Sequence, residues 1–192
     1  MSYKPNRKQA LDLFLSYNKT DSLYRHALAV EAVMRHFARL NKEDEDKWGI
    51  IGLMHDLDYE MYPDEHCIKT KAILQEANWP DDYIRAILSH AWGICTDIEP
   101  KETMEKVLYA CDELTGLVTT ATLVRPDKSI HSLTIKSLKK RWKDKRFAAK
   151  VDRNIISKGA DLLNMPIEQL MEETIKGMQG IADDLGLSGI EK

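Results

Sequence analysis

Helical periodicity along almost the whole chain is the feature that most restricts its fold. Apolar residues recur at spacings of three and four, as in the stripe formed by Leu23, Ala27, Val30, Met34 and Phe37. No run alternates apolar and polar residues in the way a half-buried strand does. The sequence therefore predicts an all-α protein.

The composition predicts one domain. The chain has 192 residues, 43% of them hydrophobic, which is enough for one well-filled core. We expect a single all-α domain over residues 1–192, with a helical bundle at about 20–125 and a basic and C-terminal helical extension at about 126–192 that packs on it. The net charge of −3 points to no partner.

The cellular location expected from the sequence is the cytoplasm. Cys67, Cys95 and Cys111 are an odd number of cysteines without close pairing, which suits a reducing compartment better than a disulfide framework. The N-terminal residues show no signal-peptide core, and no apolar run approaches the roughly 20 residues of a membrane span. We therefore expect no contact with a membrane.

Capping and breaking residues predict the helix boundaries. An acidic stretch at 43–46 suits the start of a helix that ends near His55-Asp56, and proline opens the helices beginning at 80 and 100. The other predicted helices span about 6–17, 21–40, 64–77 (capped by Asp64), 152–163 and 166–185, and the helix that starts at Pro100 runs to about 123.

Four potential metal ligands lie on or beside inward faces of these helices: His26, the adjacent pair His55-Asp56, and Asp112. One inward histidine is more often a satisfied core residue than a ligand, and Asp112 could instead cap or pair with a neighbouring helix. A buried carboxylate without a partner is strongly disfavoured, however. Their joint occurrence, with His55-Asp56 ending an apolar run, therefore favours a bound metal ion.

His66 and His90 are two further candidate ligands. Each lies near a helix end, and two loops bring them back towards His55, although either could instead be a surface residue. Nitrogen and oxygen donors without a thiolate suit a divalent transition metal, and magnesium is also compatible.

The order His26 … His55-Asp56 … Asp112 resembles the signature of the HD-domain superfamily of metal-dependent phosphohydrolases. The resemblance covers about residues 20–125. It extends to the apolar helix that leads into the His-Asp pair, to the helix that follows His66, and to the segment Ile87-Leu88-Ser89-His90.

This resemblance implies an HD-like helical bundle and hydrolysis of a phosphomonoester or phosphoanhydride bond. His26, His55, Asp56 and Asp112 would be ligands of one divalent ion. With a second ion, Asp56 would be the shared ligand, and His66 and His90 would hold that ion. Mn, Fe, Co, Ni, Mg and Zn are not distinguished.

The chain departs from the family pattern beside the His-Asp pair. Asp58 and Tyr59 stand where some members have Gly-Lys, so the substrate contact of that lysine is not carried over. Tyr59 also replaces a glutamate that assists hydrolysis in some members. Besides Asp56, the candidate catalytic carboxylates are therefore Asp58 and Glu60, whose alternative role is that of solvated loop residues. Ala91 follows His90 where members with two metal ions often have a second histidine.

A phosphorylated substrate also needs cations, and the candidates are Arg25, Lys69, Lys71 and Arg125, each of which could instead be an ordinary surface residue. We expect hydrolysis of a small phosphorylated compound, nucleotide-like in character.

The segment 125–153 supports two alternatives to hydrolysis. It contains eleven Lys or Arg residues against three Asp, with aromatic residues interleaved. This pattern suits a nucleic-acid-binding surface or a nucleotide-sensing module. The favoured interpretation is a solvated helix face, with Ile135, Leu138 and Trp142 on its buried side.

Overall fold

The regular structure of residues 4–190, which a computed structural model describes, is entirely helical. It consists of nine α-helices, with short 3-10 turns at Pro63–Glu65, Ser89–Ala91 and Ile130–Ser132. No β-strand is present in this part of the chain, and the prediction of an all-α bundle is confirmed. The helices are α1 Arg7–Tyr17, α2 Asp21–Asn41, α3 Glu45–Met54, α4 Ile68–Glu76, α5 Asp81–Leu88, α6 Thr103–Leu123, α7 Ile135–Lys143, α8 Arg153–Leu162 and α9 Ile167–Gln179.

The two longest helices, α2 and α6, form the centre of the bundle. They pack against each other, α3 and α9 cover α2, and α8 covers α6. The stripe predicted from the sequence is the reason for this arrangement, since Val30, Met34 and Phe37 are almost completely buried in the core. Consequently His26 on α2 and Asp112 on α6 face each other across the centre.

Helix α3 approaches α2 closely because Gly52 has no side chain. A Cβ atom there would lie 3.1 Å from the carbonyl oxygen of Val30 and 3.2 Å from the Cα of Glu31, which is tighter than ordinary contact. Asp44 caps the start of α3 by accepting hydrogen bonds from the backbone N–H groups of Asp46 and Lys47. The end of α3 is thereby held directly beside α2, and His55 follows at this end.

Some predicted helix boundaries are wrong. Helix α4 begins at Ile68 rather than after Asp64, because Asp64 lies in a 3-10 turn and Cys67 has a φ of 68°, which cannot continue a right-handed helix. Pro80 is the cap of α5 rather than its first residue. Helix α6 begins at Thr103 rather than at Pro100, and α9 ends at Gln179 rather than at Leu185.

The C-terminal helices pack tightly on the bundle. A Cβ atom on Gly159 of α8 would lie 2.6 Å from the Cα of Ala110 on α6, and one on Gly177 of α9 would lie 2.9 Å from the Cα of Val33 on α2. Both contacts depend on glycine, since any side chain would push the helices apart. Among residues 4–190, every helix is too short or too polar to cross a membrane.

Candidate metal centre

Five parts of the bundle bring six polar side chains together. His26 comes from α2, the pair His55-Asp56 from the end of α3, and Asp112 from α6. The loop before α4 and the turn after α5 add the last two. These side chains are wholly or largely withdrawn from solvent: His26, His55, Asp56, His66, His90 and Asp112. All of them except the fully buried His55 line the floor of a cleft.

The first group surrounds the Nε2 atoms of His26 and His55, which lie 3.2 Å apart. Oδ1 of Asp112 is 3.0 Å from Nε2 of His26 and 3.3 Å from Nε2 of His55. Oδ2 of Asp56 is 3.3 Å from the same atom of His55 and 3.8 Å from that of His26. Two imidazoles and two carboxylates therefore point at one small volume.

The second group surrounds His66 and His90, whose Nε2 atoms are also 3.2 Å apart. The other carboxylate oxygen of Asp56, Oδ1, lies 3.5 Å from Nε2 of His66 and 3.6 Å from Nε2 of His90. Asp56 thus directs one oxygen to each pair of histidines. The thiol of Cys67 lies within 4.8 Å of a ring nitrogen of each of these histidines, whereas the sequence predicted nitrogen and oxygen donors without a thiolate.

The Nδ1 atoms of His55 and His90 both face backbone carbonyl oxygens. Nδ1 of His55 is 2.8 Å from the oxygen of Gly52, and Nδ1 of His90 is 2.6 Å from that of Ile87. A carbonyl oxygen only accepts hydrogen bonds, so Nδ1 carries the proton in each ring. In the neutral imidazole, Nε2 then presents a lone pair to the centre.

The other two histidines are oriented by side chains. Nδ1 of His66 donates to Oδ1 of Asp58 at 2.7 Å, and Oδ2 of that carboxylate accepts from the backbone N–H of Thr70 at 2.7 Å. Nδ1 of His26 is 3.3 Å from the hydroxyl of Thr115, which donates its own proton to the backbone oxygen of Asp112. Such partners are typical of histidines that bind metals.

This arrangement fits divalent metal ions. Donors at about 2.1 Å from one ion and at right angles to each other are about 3.0 Å apart, close to the 3.0–3.3 Å between the atoms of His26, His55 and Asp112. Metal binding requires neutral imidazoles, and two of them that face each other through Nε2 then have no proton between them, so that the cation removes the repulsion of their lone pairs. The same reasoning applies to His66 and His90.

Electrostatic interactions keep the carboxylates ionised without a metal. Burial alone would raise the pKa of Asp56 and of Asp112, but the neighbouring positive charge of His55 lowers both pKa values well below the ordinary range. Burial also opposes a charge on His55, yet Asp56 and Asp112 together raise its pKa well above that of an ordinary histidine. The protein therefore holds negative charge where a cation would bind.

The centre opens into a cleft of about 480 Å³. Its walls come from α2, α6, α8 and the loops on either side of α4 and α5. Five of the six candidate ligands line it, all except the buried His55. The other lining residues are Leu23, Tyr59, Pro63, Ala91, Ile94, Cys95, Glu113, Gly116 and Ile155. A volume of this size suits a small molecule.

The predicted phosphate-binding cations do not line this cleft. Arg25 is paired with Asp21 and donates to the carbonyl oxygen of Leu185. Arg125 is paired with Asp127.

The two predicted lysines lie on α4 outside the cleft. Lys69 is paired with Glu65 and lies over the ring of Tyr62, and the side chain of Lys71 is exposed. The sequence placed both next to His66, but they lie on helical positions that turn away from the histidine.

The structure gives Asp58 and Glu60 contacts of a different kind from those expected of catalytic groups. Asp58 is fully buried, and its two oxygens are occupied by His66 and Thr70. Neither carboxylate oxygen of Asp58 is therefore free to contact a substrate. Glu60 accepts hydrogen bonds from the backbone N–H groups of Lys19 and Thr20, just before α2.

Glu113 and Ile155 are among the cleft residues that the sequence did not indicate. Glu113 follows Asp112 directly, and its Oε2 accepts from the backbone N–H of Asp152 at 3.2 Å. Burial and the charge of Asp112 raise the pKa of Glu113. Ile155 reaches the cleft from α8, about 40 residues further along the chain. The position of Glu113 next to Asp112 could have indicated it from the sequence. The position of Ile155 in the cleft depends on long-range packing of α8.

The fold and the centre define an all-α protein with a candidate histidine–aspartate metal site. Residues 23–117 match the HD domain family, and through this segment, which contains all six candidate ligands, the chain belongs to that family. The family is generally one of metal-dependent hydrolases. Neither a curated protein nor a solved structure matches the chain at a significant level.

Proposed function

We propose that the chain is a phosphohydrolase that uses two divalent metal ions to hydrolyse a small phosphorylated compound. The observation that supports this most directly is the position of Asp56, whose two oxygens face two separate pairs of Nε2 atoms. A carboxylate shared in this way is what two neighbouring ions require.

Each side chain then has a defined part. His26, His55 and Asp112 would hold one ion, His66 and His90 would hold the other, and Asp56 would contribute an oxygen to each. Divalent ions in such a site polarise a phosphoryl oxygen and lower the pKa of water. Mn, Fe, Co, Ni, Mg and Zn all remain candidates, although the four imidazoles favour a transition metal.

The chain itself orients the ligands and shelters the reaction. Hydrogen bonds at Nδ1 keep the proton on the outer nitrogen of each imidazole, so that Nε2 stays available. In this proposal Asp58 orients His66 rather than acting as a general acid or base. Glu60 holds the backbone that enters α2, and through it the position of His26.

Metal counting and phosphate release test the proposal together. Purified protein should bind two equivalents of metal and release phosphate from members of a panel of small phosphoesters. Asp56→Ala should bind neither ion stably and lose activity, whereas His90→Ala should retain one equivalent. His131→Ala, which removes an exposed histidine from the turn after α6, is the matched control and should behave like the unchanged protein.

Protein carrying two equivalents of Mn, Co, Ni, Fe, Mg or Zn that releases no phosphate from any member of the panel would overturn the proposal. One equivalent of metal, unaffected by His66→Ala and His90→Ala, would overturn the two-ion arrangement alone.

One observation supports the nucleic-acid or nucleotide-sensing alternative. Lys136, Lys140 and Lys143 line an open groove of about 500 Å³ on α7, and within residues 4–190 these three have no paired acidic group. Other features of segment 125–153 fit the solvated-face interpretation, because Leu138 is fully buried and Trp142 packs against the core. We therefore place hydrolysis of a small molecule first.

A further inference from the structure

We infer that the cleft takes a phosphate monoester carried on a compact apolar or aromatic group, and that it discriminates against compounds with further phosphates. The inference deepens the proposed function and rests on it. Three features of the cleft carry it: the sign of its charged residues, the apolar character of its walls, and its size.

The charged side chains of the cleft outside the histidines are all acidic. They are Asp56, Asp112 and Glu113, and no Lys or Arg lines the cleft in the part of the chain that the structure describes. Enzymes that bind polyphosphates usually surround them with Lys, Arg and backbone N–H groups. In this cleft, neither Lys nor Arg is available among the described residues, so positive charge would come from the metal ions.

Cations near the cleft are held elsewhere. Arg25 is adjacent to His26 in sequence, but its guanidinium is committed to Asp21 and to the carbonyl oxygen of Leu185. To reach a distal phosphate, Arg25 would have to leave both partners. The cleft therefore offers a second or third phosphate no compensating charge.

Charge balance then favours one phosphate. Two divalent ions would bring four positive charges, of which the carboxylates of Asp56, Asp112 and Glu113 offset three. A phosphomonoester, with about −1.5 to −2 charges, already more than neutralises the one that remains. Each additional phosphate adds negative charge beside Glu113 in a site of limited solvent access, where repulsion is stronger than in water.

The walls of the cleft offer contacts to an apolar group. Ile94 and Tyr59 line it, yet 62% and 46% of their surfaces are exposed in the empty protein. Leu23 and Ile155 add apolar surface from α2 and α8. Exposed apolar side chains that gather around a polar floor are typical of a ligand-binding site.

Ile94 is presented by a closed turn rather than a loose loop. The backbone N–H groups of Ile94 and Cys95 both donate to the carbonyl oxygen of Ala91, and the N–H of Gly93 donates to that of Thr96. Gly93 has a φ of 78°, a conformation that favours glycine. The apolar contact is thus built into the fold before a substrate binds.

The first experiment compares substrates that differ in one property. Benzyl phosphate and glycerol 3-phosphate both release an alcohol, but only benzyl phosphate carries an apolar group. We expect kcat/KM to be on the order of tenfold higher for benzyl phosphate, as for a filled apolar pocket. For adenosine monophosphate against adenosine triphosphate, with free metal held constant, we expect a similar preference for the monophosphate.

The second experiment removes one apolar contact. Ile94→Asn should lower the ratio of kcat/KM for benzyl phosphate to that for glycerol 3-phosphate by about fivefold to tenfold. Leu40→Asn, which replaces an equally exposed apolar residue on α2 far along the helix from His26, should leave the ratio unchanged. Metal stoichiometry measured in both variants excludes an indirect effect on the ligands.

The outcomes separate the two levels of the argument. If no phosphoester is hydrolysed by fully loaded protein, the proposed function fails. If phosphate is released but glycerol 3-phosphate or adenosine triphosphate is preferred, or if Ile94→Asn leaves the ratio unchanged, the proposed function stands and this inference is wrong.

Discussion

Nδ1 of His66 donates a hydrogen bond to Oδ1 of Asp58 at 2.7 Å, and this contact turns Nε2 of His66 towards Nε2 of His90. Asp58 is in turn fixed by the backbone N–H of Thr70, in the first turn of α4. The pair therefore links the loop after α3 to the start of α4. It explains why a fully buried carboxylate stands two residues after Asp56.

We predict that Asp58→Asn weakens the second metal position selectively. The amide is uncharged, and its NH₂ group would face a donor at either His66 or Thr70. Replacing a partner of this kind typically costs 10–100-fold in metal affinity, so we expect a loss of about that size for the second equivalent and little change for the first. Competition with a chromogenic chelator measures both affinities.

Asp64→Asn is the control for this substitution, because Asp64 is an exposed residue in the neighbouring 3-10 turn. If Asp58→Asn binds both equivalents with unchanged affinity, Asp58 does not orient His66 in the way the distances indicate. Equal weakening of both equivalents, with a lowered Tm, would show a general structural role instead.

Much of the bundle and the grouping of the ligands could be predicted because they depend on local patterns. The 3.6-residue periodicity places Val30 and Phe37 in the core, and the same periodicity turns His26 and Asp112 inward. The start of α4 was predicted wrongly because the positive φ of Cys67 has no signature in a residue other than glycine or asparagine.

The walls of the cleft could not be predicted from local patterns. Ile155 reaches the centre only because α8 packs on α6 through Gly159, and nothing in the local sequence records that contact. Similarly, Arg25 is adjacent to His26 in the chain, yet its partner at Leu185 is 160 residues away. Proximity in sequence was therefore a poor guide to which cations face a substrate.

We predict that Gly159→Ala destabilises the protein and disturbs the cleft. The new Cβ atom would meet the Cα of Ala110 at 2.6 Å, and since that atom is backbone, α8 has to move. Overpacking of this kind costs about 1–3 kcal/mol, measured by urea denaturation. Because Ile155 lies one turn earlier in α8, KM for the preferred substrate should rise as well.

Gly180→Ala provides the comparison, since a Cβ atom there would come no closer than 3.6 Å to its nearest neighbour, the carbonyl oxygen of Gly177. We expect its free energy of unfolding and its KM to stay close to those of the unchanged protein. If Gly159→Ala has the same free energy of unfolding as Gly180→Ala, the prediction is wrong, because α8 can then move away from α6 without loss of stability.

We predict that Asp44→Ala lowers stability at neutral pH but not in acid. Hydrogen bonds from the backbone N–H of Lys47 lower the pKa of Asp44, and Lys4 contributes in the same direction. Because the pKa in the folded protein is below the ordinary value of 3.8, the stabilisation is complete above that pH. It is lost as the pH falls through the folded-state pKa.

Losing this cap should cost about 0.5–2 kcal/mol at pH 7, and the difference between variant and unchanged protein should shrink below about pH 4. Denaturation at several pH values gives this curve. Asp161→Ala, at an exposed position within α8, should show no comparable loss at pH 7. A difference for Asp44→Ala that persists undiminished in acid would show that the carboxylate charge is not the cause.

We predict that replacing Lys136, Lys140 and Lys143 with glutamine leaves the release of phosphate from a small substrate within about twofold. These lysines line a groove on α7 that is separate from the cleft and shares no lining residue with it. Lys139, which is paired with Glu168, is kept so that the contact between α7 and α9 survives.

The nucleic-acid alternative makes the opposite prediction, because each phosphate contact contributes about 0.7–0.9 to the slope of log affinity against log salt. Binding of single-stranded RNA or DNA that weakens steeply with salt in the unchanged protein, and loses about two to three units of slope in the triple variant, would make this face a functional surface. Unchanged turnover without such binding leaves the lysines as the solvated side of a helix whose other side, at Leu138, is buried in the core.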